Sequence, residues 1–303
     1  MELLKMLQTI RTPALDVILG LITRLGEETA LMVAAMALLW CFNKERGFQL
    51  MLAGLAGTAV NQLLKAIFLI PRPWILDPTF TIVEAAREAA TGYSFPSGHT
   101  QSAAIILGLA ALWCNRKWLK AALIALVALV GFSRMYLGVH TPLDVGVSLV
   151  TGAVTVVFMD WVFRKAEADP KAFRRMAVGC LAMAVVLLAY LYLAPKRAAN
   201  DPEFDAHGIK AGWTLMGTTI GMLAAWWYDR EKLHFDTSAC WWAQLCKLAI
   251  GLGLVMGVRL GMKPVLQLIF GDAIFTTGIR YCLMALVGGI VWPMSFKWWQ
   301  KRA

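Results

Sequence analysis

Charged residues are scarce in this chain: Asp, Glu, Lys and Arg make up 16% of its 303 residues, whereas 59% are hydrophobic. Soluble globular domains carry about 25% charged residues, so the composition excludes an ordinary soluble domain. We predict an all-α fold, a polytopic transmembrane helical bundle of about nine spans, because most apolar stretches approach the ~20 residues that cross a bilayer. These stretches are 27–42, 48–70, 99–114, 119–139, 143–163, 176–194, 212–228, 241–262 and 277–296.

Cysteine and histidine are also few. The six cysteines include no Cys-x-x-Cys pair and indicate no disulfide framework. Of four histidines only His99 and His140 are well placed, and no metal-ligand constellation surrounds them. We therefore predict no metal and no other cofactor. No basic stripe is interleaved with exposed aromatic residues, which excludes nucleic acid as a partner.

Positive charge is concentrated in short connecting segments. These segments alternate as one side of a nine-helix bundle, and basic loops of this kind stay in the cytoplasm. We therefore predict an outer N-terminus and an inner C-terminus. Short loops, compact size and the lack of an evident cleavable leader favour a bacterial inner membrane. The basic segments are 43–47, 115–120, 164–175, 229–232 and 297–302.

Residues 133–144 lie between two apolar runs yet include an arginine, a histidine and an aspartate. Charge at the edge of a membrane segment is costly and indicates function. A Thr-Pro pair after His140 predicts a helix start, with Asp144 in the first turn, able to reach one imidazole nitrogen. The other nitrogen would be free to attack or to take a proton. Arg134 offers a planar fork for phosphate oxygens.

Two more polar groups lie at the ends of other predicted helices. Lys65 and Arg72 are seven residues apart, so they would share a face if their helix continues. The Pro-Ser-Gly turn at 96–98 can present free backbone N–H groups to an anion at a helix N-terminus. His99, in the first turn of that helix, can donate a proton there.

Together these groups resemble the three signature motifs of the type 2 phosphatidic acid phosphatase superfamily: Lys-x6-Arg-Pro, Pro-Ser-Gly-His and Ser-Arg-x5-His-x3-Asp. They fill every hallmark position between Lys65 and Asp144. The resemblance implies that His140 is a nucleophile that forms a phosphohistidine and is oriented by Asp144. It implies that His99 protonates the leaving oxygen and then activates water. The residues implied to bind the phosphoryl group are Lys65, Arg72, Ser97, Gly98 and Arg134.

Three regions are expected along the chain. Residues 1–26 form an N-terminal interfacial amphipathic segment, 27–165 a phosphatase core with the motifs, and 166–303 C-terminal transmembrane helices that complete the bundle. Alternatively, residues 14–25 dip into the membrane as a half-helix. The nine-helix layout resembles the glucose-6-phosphatase and sphingosine-1-phosphate phosphatase branches rather than the shorter undecaprenyl-pyrophosphate phosphatases.

The resemblance implies an integral-membrane, metal-independent phosphatase that hydrolyses a lipid phosphate monoester whose tail stays in the bilayer. The same site would serve a polyprenyl pyrophosphate phosphatase, a soluble sugar-phosphate phosphatase or a lipid phosphotransferase. A non-enzyme alternative is a catalytically silent lipid-binding or transport protein, although binding alone would need only the cations. The sequence leaves the substrate, the oligomeric state and the role of outer loops 195–211 and 263–276 open.

Overall fold

The computed structural model describes residues 1–169, 171–193 and 202–300, and within them it is helical with no β-strand. The predicted all-α class is therefore confirmed. The α-helices are α1 (Glu2–Thr9), α2 (Pro13–Thr23), α3 (Glu28–Ala37), α4 (Lys44–Phe68), α5 (Pro73–Leu76), α6 (Gly98–Trp113), α7 (Lys117–Tyr136), α8 (Pro142–Ala168), α9 (Lys171–Leu193), α10 (Pro202–Tyr228), α11 (Trp241–Phe270), α12 (Thr276–Leu286) and α13 (Phe296–Gln300). Single π-helical turns follow three of them, at Leu38–Phe42, Asp229–Leu233 and Val287–Val291.

The transmembrane character of the bundle is confirmed, but the count of nine spans is not. In the part of the chain that the structure describes, six segments are long and apolar enough to cross a membrane. A seventh results if Pro13–Gly26 and Glu28–Phe42, which meet at a 55° bend, are one broken span. The predicted span 99–114 falls in α6, which has only 16 residues. The six segments are Lys44–Leu76, Lys117–Tyr136, Pro142–Lys165, Lys171–Leu193, Trp241–Phe270 and Thr276–Trp299.

The start of α8 follows the prediction. The Thr141 hydroxyl accepts a hydrogen bond from the Asp144 backbone N–H at 3.2 Å, and Oδ2 of Asp144 accepts one from the Thr141 N–H at 2.7 Å. This reciprocal arrangement is a capping box, which satisfies two backbone donors at a helix N-terminus. Asp144 therefore lies in the first turn of α8 as expected, and its carboxylate is held in place by its own helix.

The end of α4 differs from the expectation. The helix stops at Phe68, and Leu69 adopts a positive φ of 50°, a left-handed conformation common after helix ends. A residue that precedes proline is disfavoured in the helical region, so the chain leaves the helix before Pro71. Lys65 and Arg72 therefore do not share one helix face, because Arg72 lies in the loop that leads into α5.

The predicted outer loop 263–276 is largely helical, because α11 continues to Phe270. Of the predicted loop 195–211, residues 195–201 and the side chains of 202–205 lie outside the described residues, and α10 begins at Pro202.

The chain forms two compact units, one of residues 1–31, 56–161 and 193–208, the other of residues 32–55, 162–192 and 209–303. In the first unit α7 packs closely on α8: a Cβ at Gly131 would lie 2.9 Å from Cγ1 of Val145. In the second unit α10 approaches α12 so tightly that a Cβ at Gly217 would lie 1.9 Å from the Gly278 carbonyl oxygen. Both contacts require glycine. The predicted boundaries after residues 26 and 165 stay a prediction.

The N-terminal helices α1 and α2 belong to the first unit. Leu4 of α1 is fully buried beside Phe80, and Leu19 of α2 is buried beside Tyr136 and Leu137. Apolar burial of this kind stabilises the contact of these helices with the end of α7. The segment therefore packs against the chain that carries the predicted site.

Candidate active site

Every residue singled out in the three motifs lies in the first unit. Lys65 is in the last turn of α4, Arg72 precedes α5, and Arg134 is in the last turn of α7. These three cations are close enough to one another, and to both histidines, for their charges to interact electrostatically. The structure thus brings the motifs together, with Ser97, Gly98 and His99 at the start of α6 and with His140 and Asp144 at the start of α8.

His140 lies between a guanidinium and a carboxylate. Its Nε2 is 3.0 Å from Nη1 of Arg72, and its Nδ1 is 3.5 Å from Oδ2 of Asp144. Because a guanidinium donates and never accepts, we assign the lone pair to Nε2 and the ring proton to Nδ1, which faces Asp144. Burial, reinforced by the positive charges of Arg72 and Arg134, lowers the pKa of His140 well below its usual value, so the ring is neutral.

Asp144 is held by neighbours from two loops. Besides the Thr141 backbone, the Ser94 hydroxyl donates a hydrogen bond to Oδ2 of Asp144. The Ser97 N–H donates to the Asp144 carbonyl at 3.3 Å, and the Ser94 N–H to the Ile70 carbonyl at 2.8 Å. Ser94 was not among the predicted site residues. Its one signal in the sequence is its place three residues before Ser97.

Backbone carbonyls fix the first two cations. Arg72 donates from Nε and Nη2 to the carbonyls of residues 92 and 91, at 2.9 and 2.7 Å, and from Nη1 to the Val139 carbonyl at 2.9 Å. Lys65 donates from Nζ to the Tyr93 carbonyl. Each nitrogen of the Arg72 guanidinium therefore has a partner, and the loop at 91–93 is clasped by both cations.

Arg134 is bound very differently. Its side chain is 0% exposed, and Nη1 donates to the Thr23 hydroxyl at 3.1 Å. Among the described residues, Nε and Nη2 have no hydrogen-bond partner. These two N–H groups lie on one edge of the guanidinium and point the same way, a geometry that suits two oxygens of one phosphate. Buried donors without partners are rare in proteins and call for a functional explanation.

His99 shows the same feature. Its Nε2 is shielded from solvent and has no hydrogen-bond partner among the residues that the structure describes. The backbone of His99 is packed against Gly26, whose Cβ, if it had one, would lie 2.2 Å from the His99 carbonyl oxygen. The imidazole is therefore fixed at its base and offers Nε2 to the space near the three cations.

Within the described ranges, no three His, Cys, Asp or Glu side chains lie close enough to hold a metal ion. The six cysteines are free thiols. Independence from metals stays a prediction.

Two protein-family models match this chain. Residues 46–167 match the model described as the PAP2 superfamily, and residues 213–302 match its phosphatase transmembrane extension. The chain belongs to the PAP2 superfamily. This membership confirms the predicted family and enzyme class: the protein is a multi-pass membrane protein and a phosphoric monoester hydrolase.

Several known proteins are similar to this PAP2 protein, and they cover different shares of its chain. Undecaprenyl-diphosphatase BcrC of Bacillus subtilis is 34% identical over 157 residues, 49% of this chain and 75% of that protein. A probable sphingosine-1-phosphate phosphatase of Dictyostelium discoideum is 23% identical over 239 residues, 74% of this chain and 56% of that protein. The crystal structure of Aquifex aeolicus LpxE, 31% identical with a TM-score of 0.44, covers 52% of this chain and 92% of that one.

Proposed function

We propose that this PAP2 protein is a metal-independent phosphatase that hydrolyses a lipid phosphate monoester through a phosphohistidine on Nε2 of His140. The observation that carries the proposal is the order of Arg72, His140 and Asp144. It supports a neutral imidazole whose lone pair, on Nε2, is directed to the place where Arg72 donates. A phosphoryl group that takes the place of this Nη1 contact would meet the lone pair directly and stay beside the guanidinium, as an activated nucleophile requires.

The proposed first step transfers the phosphoryl group. The lone pair of His140 Nε2 forms a bond to phosphorus while the bond from phosphorus to the ester oxygen breaks. Burial and the three cations lower the pKa of His99, and the negative charge of the bound phosphoryl group opposes that shift. His99, protonated in the substrate complex, gives its Nε2 proton to the leaving oxygen, which departs as the lipid alcohol. In the second step His99 takes a proton from water as the water oxygen attacks phosphorus. The bond from phosphorus to nitrogen then breaks, its electron pair returns to His140, and inorganic phosphate is released.

The cations supply the electrostatic part of the mechanism. Negative charge spreads over the equatorial oxygens during phosphoryl transfer, and fixed positive groups stabilise it most when they need no rearrangement. Lys65, Arg72 and Arg134 have this role in the proposal. The Ser97 oxygen already accepts the hydroxyl of Thr100 at 2.9 Å, so its own proton is available for a phosphoryl oxygen. The backbone N–H of Gly98 is the fifth proposed contact.

A lipid substrate is proposed because the motif residues lie at the ends of helices in a membrane protein. The tail can then remain in the bilayer while the headgroup enters the site. A second candidate substrate is a polyprenyl diphosphate, favoured by the 34% identity to an undecaprenyl-diphosphatase. The basic loops support a periplasmic site in a bacterial inner membrane. Reporter fusions at His99 and Gln300 should lie on opposite sides of the membrane; the same side would contradict that orientation.

A substrate panel tests the proposal. The purified protein would be assayed in detergent and in proteoliposomes for phosphate release from phosphatidate, phosphatidylglycerol phosphate, sphingosine phosphate, polyprenyl pyrophosphate and glucose phosphate. We expect the highest kcat/KM for a lipid monoester. A clear preference for polyprenyl pyrophosphate would replace the lipid monoester with the second candidate substrate. Preference for glucose phosphate would contradict a lipid substrate. Phosphate release from none of the five compounds would contradict the proposed phosphatase activity.

A further inference from the structure

The two arginines of the site are oriented by different means. Arg72 is fixed by backbone carbonyls at each of its nitrogens. Arg134 has one hydrogen bond within the described part of the chain, from Nη1 to the Thr23 hydroxyl, and Thr23 is itself only 6% exposed. Among the described residues a single side-chain hydroxyl therefore provides the hydrogen bond that orients the Arg134 guanidinium.

Thr23 binds Nη1 of Arg134, which leaves the Nε and Nη2 edge of the guanidinium open for a phosphate. Nη1 lies outside the edge formed by Nε and Nη2, whose two N–H groups are parallel and match two phosphate oxygens. An acceptor on Nη1 fixes the plane of the guanidinium without occupying that edge. Thr23, moreover, precedes the part of the chain that matches the superfamily model, residues 46–167.

The Thr23 hydroxyl lies at the break between α2 and α3. α2 ends at Thr23, and the 3₁₀ turn Arg24–Gly26 follows before α3 begins. The close packing of Gly26 on the His99 carbonyl means that the turn contacts a second site residue. One short segment thus reaches Arg134 with a side chain and His99 with its backbone.

The other end of α2 is anchored to the same region. Arg11 donates from Nε to the Tyr136 carbonyl at 2.9 Å. The Tyr136 hydroxyl donates to Asp16 and accepts the Thr12 N–H, both at 3.0 Å. Tyr136 follows Arg134 by two residues, so α2 is tied to the end of α7 from which Arg134 projects. Hydrogen bonds therefore join both ends of α2 to the last turn of α7.

We infer that Thr23 is a positioning residue, which holds Arg134 so that its Nε and Nη2 edge faces the transferred phosphoryl group. The inference rests on the proposed function, because it assigns Arg134 a phosphoryl oxygen as its ligand. It gives the N-terminal segment a role in phosphate recognition.

The test removes the Thr23 hydroxyl oxygen while keeping the β-branched shape of the side chain. Thr23→Val removes the oxygen at nearly constant volume, and we expect kcat/KM to fall about 10-fold, short of the ~100-fold loss that a misplacement of a full ångström can cause. Inhibition by orthovanadate should weaken by a similar factor, since the same edge would bind it. Thr23→Ser keeps an oxygen and should restore both values to within about twofold of the wild type.

Thr155→Val is the matched control. Thr155 is also buried, at 9% exposure, and its hydroxyl donates to the Thr151 carbonyl within α8 at 2.8 Å, away from the motif residues. This variant should retain wild-type kcat/KM. A loss in Thr155→Val equal to that in Thr23→Val would overturn the inference, because any buried hydroxyl would then have the same effect.

A double-mutant cycle shows whether Thr23 acts through Arg134. In an Arg134→Ala background Thr23→Val should cause no further loss, whereas an equal loss in both backgrounds would contradict the inference. If Thr23→Val does not fold, Thr23→Ala takes its place in every comparison. If the wild type is active and Thr23→Val has the same kcat/KM, the inference about Thr23 is refuted but the proposed function is not. A wild type that releases no phosphate from any substrate of the panel refutes the proposed function.

Discussion

Among the described residues both units bury charged side chains, but only in the second unit do all of them, Asp229 and Lys247, have a hydrogen bond at every charged atom. Both carboxylate oxygens of Asp229 accept hydrogen bonds, Oδ2 from Lys44 Nζ at 2.7 Å and Oδ1 from the Phe235 N–H at 2.9 Å. Lys247, with 0% exposure, donates to the Thr237 carbonyl at 2.9 Å. Unpaired buried atoms in this unit belong to neutral side chains or to partly exposed arginines. Charge buried in this way is part of the frame.

The first unit leaves buried polar atoms of its motif residues unpaired. Each such atom costs about 1–3 kcal/mol when no partner replaces water, and a cluster of them on motif residues calls for a functional explanation. The comparison teaches that the buried charge of the second unit is paired, whereas most of the unpaired buried atoms described in the first unit belong to the motif residues. Among the described residues those atoms are Nε and Nη2 of Arg134, Nε2 of His99, Nδ1 of His140 and Oδ1 of Asp144.

The largest effect is expected at His140. His140→Ala removes the proposed nucleophile, so phosphate release should fall below detection with every substrate of the panel. His234→Asn is the control, because His234 is exposed in the second unit with a positive φ of 46° that asparagine tolerates. Substantial turnover in His140→Ala, or an equal loss in His234→Asn, would break the contrast between the two units.

A smaller loss is expected at His99. His99→Ala should slow turnover by roughly 10²–10⁴-fold, the range of general acid–base catalysis. The loss should shrink with p-nitrophenyl phosphate, whose leaving group needs no proton. The measurement is kcat for the best lipid substrate and for p-nitrophenyl phosphate, each relative to the wild type. The same loss with both substrates would show that His99 is not the acid.

In the second unit the expected effect is on stability. Asp229→Asn keeps the shape but removes the charge that pairs with Lys44. Since the Lys44 side chain is 27% exposed, the free energy of unfolding should fall by about 1–3 kcal/mol, less than for a fully buried pair. Glu45→Gln, in the exposed pair with Arg230, should cost less than about 1 kcal/mol. Thermal unfolding in detergent measures both, and kcat of the folded fraction should be unchanged; a loss of kcat would contradict the division of roles.

The smallest effect is expected from chelation. In the proposed mechanism three cations take the part that a divalent ion has in many phosphatases, so EDTA should leave kcat unchanged. Phosphate release would be measured before and after dialysis against EDTA. Activity that disappears and returns with one specific divalent ion would contradict the proposal.

Local features of the structure were predictable from the sequence. The helices follow long apolar runs, and α8 begins where Thr141 and Pro142 predict it, because caps act within a few residues. The motifs identified the family because each motif is also a short stretch of neighbouring residues. The prediction that Lys65 and Arg72 share a helix face was wrong, since α4 ends at Phe68.

Contacts between distant parts of the chain were not predictable. Ser94 reaches Asp144 across 50 residues, and Thr23 reaches Arg134 across 111. A hydroxyl in a helix has no periodic signature, and its partner depends on how helices pack. The bend between α2 and α3 was not predicted either; the sequence left open only whether residues 14–25 lie on the membrane surface or dip into it as a half-helix.

Phosphoenzyme trapping tests the central claim most directly. Wild type, His140→Ala and His99→Ala would be mixed with p-nitrophenyl phosphate that carries a labelled phosphoryl group, quenched in base and separated from free label. The account predicts acid-labile label on the wild type, more on His99→Ala because water is no longer activated, and none on His140→Ala. Label that persists in His140→Ala and is lost only in His99→Ala would contradict it, because the nucleophile would then be His99.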